Sequence, residues 1–218
     1  MADLYRFITN DGLVSVTAID STDIVREAEK IHMTSAVVTA ALGRLLTAAS
    51  LMGIALKGEK DNLTIRINGD GEIDSLMART DSKGKVKGYP GNPVVELPLN
   101  NNGKLDVGGA VGKGMLYVSK DLGLKEPYNG TVELVSGEIA EDIAAYFAVS
   151  EQIPTVRALG VLVNPDLTVN CAGGYLIQLL PAAGEDTIDK LEQSIKGMPS
   201  VTRMLSMGMT APDIAKKV

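Results

Sequence analysis

Two rhythms of apolar and polar positions divide the chain. Residues 4–9 and 13–19 are short β-type runs on either side of Asn10-Asp11-Gly12, a hairpin turn. Residues 22–32 switch to helical spacing, with Ile24, Val25, Ala28 and Ile31 on one face and Ser21 or Asp20 as the cap. Residues 33–56 follow almost at once, apolar on every face, rich in Ala, Gly, Ser and Thr, and capped by Thr34. This run is long enough to span a bilayer. Arg44 sits at its middle, however, and a central Arg costs about 2.5–3.5 kcal/mol there. The pattern predicts a buried core helix whose small side chains admit close neighbours.

Strand-like runs come next. Residues 62–68 alternate, Gly69-Asp70-Gly71 turns the chain, and residues 72–80 return. Ser82-Lys83-Gly84 turns again into residues 85–89, and Pro90, Pro93 and Pro98 mark an irregular stretch. Residues 114–120 and 131–135 are further strands. Residues 138–151 read as a helix, capped by Ser136 or Gly137, with Ile139, Ile143, Tyr146, Phe147 and Ser150 inward and Glu141 and Asp142 outward. Pro154 ends that region. Residues 155–163 and 167–171 form strands around Asn164-Pro165-Asp166, and residues 175–180 continue the second one past Gly173-Gly174.

The pattern changes after Pro181. Residues 182–218 contain no aromatic side chain but hold four of the nine methionines, Met198, Met204, Met207 and Met209. Ile188, Leu191, Ile195 and Met198 recur at helical spacing, and Gly197 and Pro199 stop that helix. A second short helix fits residues 201–207. A third starts at Thr210, with Pro212 in the first turn. This tail buries too little apolar surface to stand alone, so it must dock on the body or stay loose. A helix that stops after two turns reads as a break inside a longer protein. The expected organisation is a core over residues 1–181 and part of a helical linker over 182–218. The fold class is α+β: a twisted, mostly antiparallel sheet with helices packed on it, followed by the helical segment.

With 45% hydrophobic and 22% charged residues, the chain has an ordinary globular composition. Its net charge of −6 argues against a nucleic-acid partner, which calls for a dense basic face. Lys83, Lys85 and Lys87 make one small basic cluster and read as the solvent side of a strand. The N-terminal residues lack the basic start and apolar run of a signal peptide, and the lone Cys171 permits no disulfide within the chain. Both features suit a reducing, cytoplasmic setting without a membrane.

Catalytic chemistry finds little support. Residues 108–114, GGAVGKG, have three residues instead of four before the Gly-Lys pair and lack the Ser or Thr that would hold magnesium in a phosphate loop. They read as a glycine-rich loop. His32 is the sole histidine, so a multi-histidine metal site or a second-histidine mechanism is out of reach. Cys171 has no sequence neighbour that would activate it and reads as a buried thiol. Glu138, Glu141 and Asp142 follow the solvated side of their helix. No metal ligand set and no catalytic residue is assigned.

The segments SGEIAEDIAAYFAVSEQIPT and CAGGYLIQLLP closely resemble the 33 kDa chaperonin, or heat-shock protein 33, family. TSAVVTAALGRLLTAASLMG, INGDGEIDSLMA, VGGAVGKGMLYVSKDLG and PYNGTVELVSGEIAEDIAAYF resemble it in the same order. The resemblance implies an ATP-independent, redox-regulated holdase that binds unfolding proteins under oxidative and heat stress. It implies a core, a helical linker and a C-terminal zinc domain with Cys-x-Cys and Cys-x-x-Cys pairs, which oxidation converts to disulfides. None of those four cysteines is present, so no zinc ligand is carried over and the chain is expected to bind no cofactor. The resemblance also allows a homodimer with an exchanged linker.

On this reading Met198, Val201, Met204, Leu205 and Met207 either touch unfolded clients or mask apolar surface of the core. Met-rich surfaces accept many partners because the side chain is flexible and polarizable. Two other classes compete. A small-molecule enzyme would show a polar pocket around Glu138 or Arg157. A dedicated interaction module would bind one partner selectively.

Overall fold

A computed structural model describes residues 3–153 and 155–218, so the break expected at Pro154 lies outside the described residues. The α+β class and the antiparallel pairing are as expected, and the strands divide between two sheets. One sheet has the order β1-β2-β9-β8, from β1 (Asp3–Ile8), β2 (Val14–Asp20), β8 (Thr155–Val163) and β9 (Val169–Leu179). The other has the order β5-β4-β3-β6-β7, from β3 (Asn62–Gly69), β4 (Ser75–Asp81), β5 (Val86–Pro90), β6 (Gly114–Asp121) and β7 (Tyr128–Glu133). β9 runs unbroken through Gly173-Gly174, in register with β2 on one side and β8 on the other.

The apolar helix predicted from residues 33–56 is α2 (Ala36–Gly53), and it is the centre of the core. Leu42, Leu45, Leu46, Leu51 and Met52 pack in one cluster with Leu63, Ile65 and Ile67 of β3 and Leu76 and Ala78 of β4. Among the described residues it is the one helix long and apolar enough to cross a membrane, and 89% of it is buried in the protein. Its small residues serve close approach. A methyl group on Gly43 would lie 2.8 Å from both Val25 and Val161, and one on Gly53 would lie 2.6 Å from the Asp81 carbonyl. Its polar side chains are matched. Thr47 donates to the Gly43 carbonyl and meets Ser21 at 2.7 Å, and Ser50 donates to the Gly84 carbonyl. Arg44 leaves the core by reaching Glu138, Nη1 to Oε2 at 2.5 Å, although its buried Nε has no partner.

α1 (Thr22–His32) has the predicted bounds. Its cap is Asp20, whose carboxylate accepts from the Thr22 N–H and hydroxyl, because the Ser21 hydroxyl is turned inward to Thr47. His32 closes the other end by contacting the Gly88 carbonyl at 2.9 Å, a structural use of the sole histidine. At α2 the cap position falls to Ser35 rather than Thr34; its hydroxyl is engaged with the backbone of Val95.

The glycine-rich stretch is only partly a loop. Asp106 accepts from the Gly109 N–H and starts α3 (Val107–Val111), and Gly112, at φ 74°, turns the chain into β6. The helix read over residues 138–151 is shorter, α4 (Ala140–Tyr146), and continues as a π-helical turn, Phe147–Glu151. Asp142 is not on a solvated face. It is fully buried, and its carboxylate accepts from the backbone N–H groups of Val135, Ser136, Gly137 and Ile139. Helical spacing placed it opposite the apolar stripe; the incoming loop folds over that side and needs an acceptor.

Candidate functional site

The four-stranded sheet is covered on both faces, which explains why β2 is buried without alternation from Val14 to Ile19. Ile19 and Leu176 belong to the cluster around α2. Val14, Val16 and Ala18 of β2 and Cys171, Tyr175 and Ile177 of β9 point the other way and form a second cluster. The last 37 residues cover that second face with α5 (Glu185–Ile195), α6 (Val201–Ser206) and α7 (Ala211–Lys217).

Each short helix is set by local chemistry. The Ser200 hydroxyl accepts from the Arg203 N–H and starts α6. Thr210 and Asp213 cap α7 reciprocally: the Thr210 hydroxyl accepts from the Asp213 N–H, and the Asp213 carboxylate accepts from the Thr210 N–H at 3.0 Å. The Thr210 hydroxyl, which also donates to that carboxylate, and then the Thr210 N–H hold the Asp213 carboxyl below its ordinary range. Gly208, at φ 83°, allows the reversal between the two helices. α5 has its predicted helical form but buries no residue fully; Leu191 and Ile195 are half-buried at the rim of the cluster.

The five residues singled out in the sequence take three different positions. Val201, Met204 and Leu205 are buried against the sheet with Ala211, Ile214 and Ala215 of α7. Met198 is half-buried at the rim. Met207 stands apart, 70% exposed.

Sequence reasoning missed the floor beneath them. Gly160 of β8 and Gly173 of β9 are cross-strand partners. A methyl group on Gly160 would come within 2.7 Å of Thr202 Cγ2 and 3.0 Å of Val201 Cγ1, and one on Gly173 within 2.7 Å of Leu205 Cδ1. The two glycines thus form a bare strip on which α6 lies. The available signal was Gly160 inside one strand-like run and the Gly173-Gly174 pair joining the two pieces of another, a mark of close approach by other atoms.

Cys171 lies beside this strip, and its Sγ donates to the Thr202 carbonyl of α6 at 3.4 Å. Burial pushes its pKa up, with Asp20 adding to the rise and Arg26 opposing it, so the group is held as a thiol. Burial also raises the Tyr175 phenol. Among the described residues no group of three or more His, Cys, Asp and Glu side chains is placed to hold a metal ion.

Glu138 and Arg157 do not come together in a catalytic arrangement. Glu138 is engaged by Arg44, and Arg157 donates to the carbonyls of Ala140 and Thr155. A groove of about 600 Å³ lies elsewhere, between α1 and β5, lined by Ile24, Ala28, Ile31, Met77 and Tyr89 among others.

Comparison with known proteins gives a consistent result. The family described as Hsp33 protein matches residues 3–218. The 33 kDa chaperonin of Agathobacter rectalis is 49% identical over 215 residues, spanning 99% of this chain and 75% of that protein. The 33 kDa chaperonin of Clostridioides difficile is 52% identical over 210 residues, spanning 96% and 72%. The crystal structure of the 33 kDa chaperonin of Thermotoga maritima superposes with a TM-score of 0.92 at 41% identity, covering 98% of this chain and 73% of that one. With a family match over nearly its whole length and relatives at about half identity, the chain belongs to the Hsp33 family.

Proposed function

We propose that this chain is an ATP-independent holdase that binds unfolding proteins and prevents their aggregation under heat and oxidative stress. The observation that carries the mechanism is the apolar sheet face beneath α6 and α7. A holdase needs apolar area that non-native chains can reach, and a means of hiding it otherwise. Val201, Met204 and Leu205 serve as the cover, and the exposed Met207 offers the first client contact, with the half-buried Met198 at the rim. α5 to α7 are short helices held by one side of a sheet whose other side is fastened by α2, so they open at lower cost than the body.

The other assignments follow from the same features. The chain acts without catalytic chemistry, since client capture requires none. Its acidic surface suits protein clients rather than nucleic acid. A cytoplasmic location fits a lone buried thiol. A homodimer exchanging α5 to α7 would satisfy the same sheet face in trans. By the family resemblance, zinc binding and redox control belong to a C-terminal module carrying the Cys-x-Cys and Cys-x-x-Cys pairs, and Cys171 has no part in it.

Light scattering of a thermally unfolding client, with and without this chain under reductant, tests the reading. Suppression of scattering without an oxidant is expected. Equal scattering in both samples rules out activity in this form.

A further inference from the structure

The methionines of the chain grade from open to closed. Met33 and Met207 are 79% and 70% exposed, while Met52 and Met204 are buried. Met198 and Met209 lie between: half-buried, yet packed against the cluster that joins α6 and α7 to the sheet. Met209 also donates its N–H to the Met204 carbonyl at 3.1 Å, closing the turn between the two helices. Met77 and Met115, likewise half-buried, sit on strands of the other sheet.

We infer that Met198 and Met209 are oxidation sites for small hydroperoxides, and that their conversion to sulfoxides loosens α6 and α7 from the sheet. The inference rests on the masking role proposed above for its functional consequence, but not for its chemistry. The thioether sulfur attacks the terminal peroxide oxygen and the O–O bond breaks. The sulfur gains that oxygen and is oxidised by two electrons, and hydrogen peroxide is reduced to water. The product is a polar, chiral group in place of a flexible apolar one. At an exposed position such as Met207 this changes no packing. At Met204 the oxidant has no access. At Met198 and Met209 the side chain is partly open to solvent, and an oxygen added there falls where apolar contact holds the segment down, a place where an unmatched polar group is costly.

The test treats the full chain with graded hydrogen peroxide. Peptide mass spectrometry reads each methionine and Cys171, and hydrogen exchange reads residues 201–217. Met33 and Met207 are expected to convert first without effect. As Met198 and Met209 convert, protection of 201–217 should fall roughly ten- to a hundredfold, the range set by one unmatched polar group, while β3 and β4 keep theirs. Methionine sulfoxide reductase should restore it. The paired substitution Met198→Leu with Met209→Leu, which conserves volume, should abolish the loss; Met33→Leu with Met207→Leu should not. Full conversion of Met198 and Met209 with unchanged protection overturns the inference, as does an equal loss in the first Leu pair. Loosening without stronger suppression of client aggregation than the untreated chain gives supports the oxidation sites and overturns the masking role instead.

Discussion

Gly160 and Gly173 stand opposite each other across β8 and β9, and α6 rests on both, Thr202 over the first and Leu205 over the second. This contact sets how closely the C-terminal helices approach the body. At Gly160 one added carbon changes that distance without touching the main core, whereas at Gly173 it would also meet the Ile19 carbonyl at 2.6 Å.

Gly160→Ala places its methyl group against Thr202 and Val201, side chains branched close to the backbone and unable to swing aside. Overpacking of this kind costs about 1–3 kcal/mol. Hydrogen exchange should show residues 201–217 losing protection while β3 and β4 are unchanged. On the proposed mechanism, aggregation of a client should be suppressed at a lower temperature than with the parent chain. A variant with parent-like protection would show that α6 does not depend on this strip.

Met204 and Met207, three residues apart, should separate covering from client contact. Met204→Ala removes a fully buried side chain, a change that costs about 2–5 kcal/mol in a packed site. It should release α6 and raise holdase activity. Met207→Ala removes an exposed side chain, should shift stability by less than about 0.5 kcal/mol, and should weaken client binding. Titration of a fluorescent unfolded client against both variants reads the two effects; identical behaviour would refute the division of roles.

Asp142→Ala strips one carboxylate from four backbone N–H groups. Buried donors left unmatched cost about 1–3 kcal/mol each. With partial rescue by water, a net loss of roughly 3 kcal/mol corresponds to a fall in Tm of about 6–12 °C for a chain of this size. Calorimetry checks this, and a Tm unchanged by the substitution would mean that the loop before α4 finds other acceptors.

Alkaline pH should loosen the same interface through Cys171 and Tyr175. Both pKa values are raised in the fold by burial, so the folded state keeps protons that the unfolded state releases. Their contribution is therefore fully present below the unfolded values, ordinarily 9.0 for the thiol and 10.0 for the phenol, and is lost as pH rises through the folded ones. Thiol labelling with an aromatic disulfide should be slow at neutral pH and accelerate above that range together with exposure of 201–217. Rapid labelling at pH 7 would place Cys171 outside the covered face.

The sequence was legible where one physical rule acted alone. The hairpin at Asn10-Asp11-Gly12, the bounds of α1 and the start of α7 at Thr210 follow from turn and capping chemistry within a few residues. It was less legible where tertiary partners reassign a group. Asp142 has helical spacing typical of a solvated face, and only the loop folded over it explains its burial. Ser21 is a sound cap by type, yet Thr47, distant in sequence, takes its hydroxyl. The candidate site shows the same split. Val201, Met204 and Leu205 could be found from apolar spacing, whereas the sheet face they cover draws on β2 and β9, more than 130 residues apart.

That separation also shapes how the molecule is made. β2 cannot acquire β9 until the ribosome has delivered the intervening chain, on the order of 10 s at typical rates of synthesis. During that interval Val14, Val16 and Ala18 emerge with β1 alone beside them, lacking both β9 and the helices that finally roof them. A protein suited to shielding unfolding chains therefore begins its own life in need of shelter.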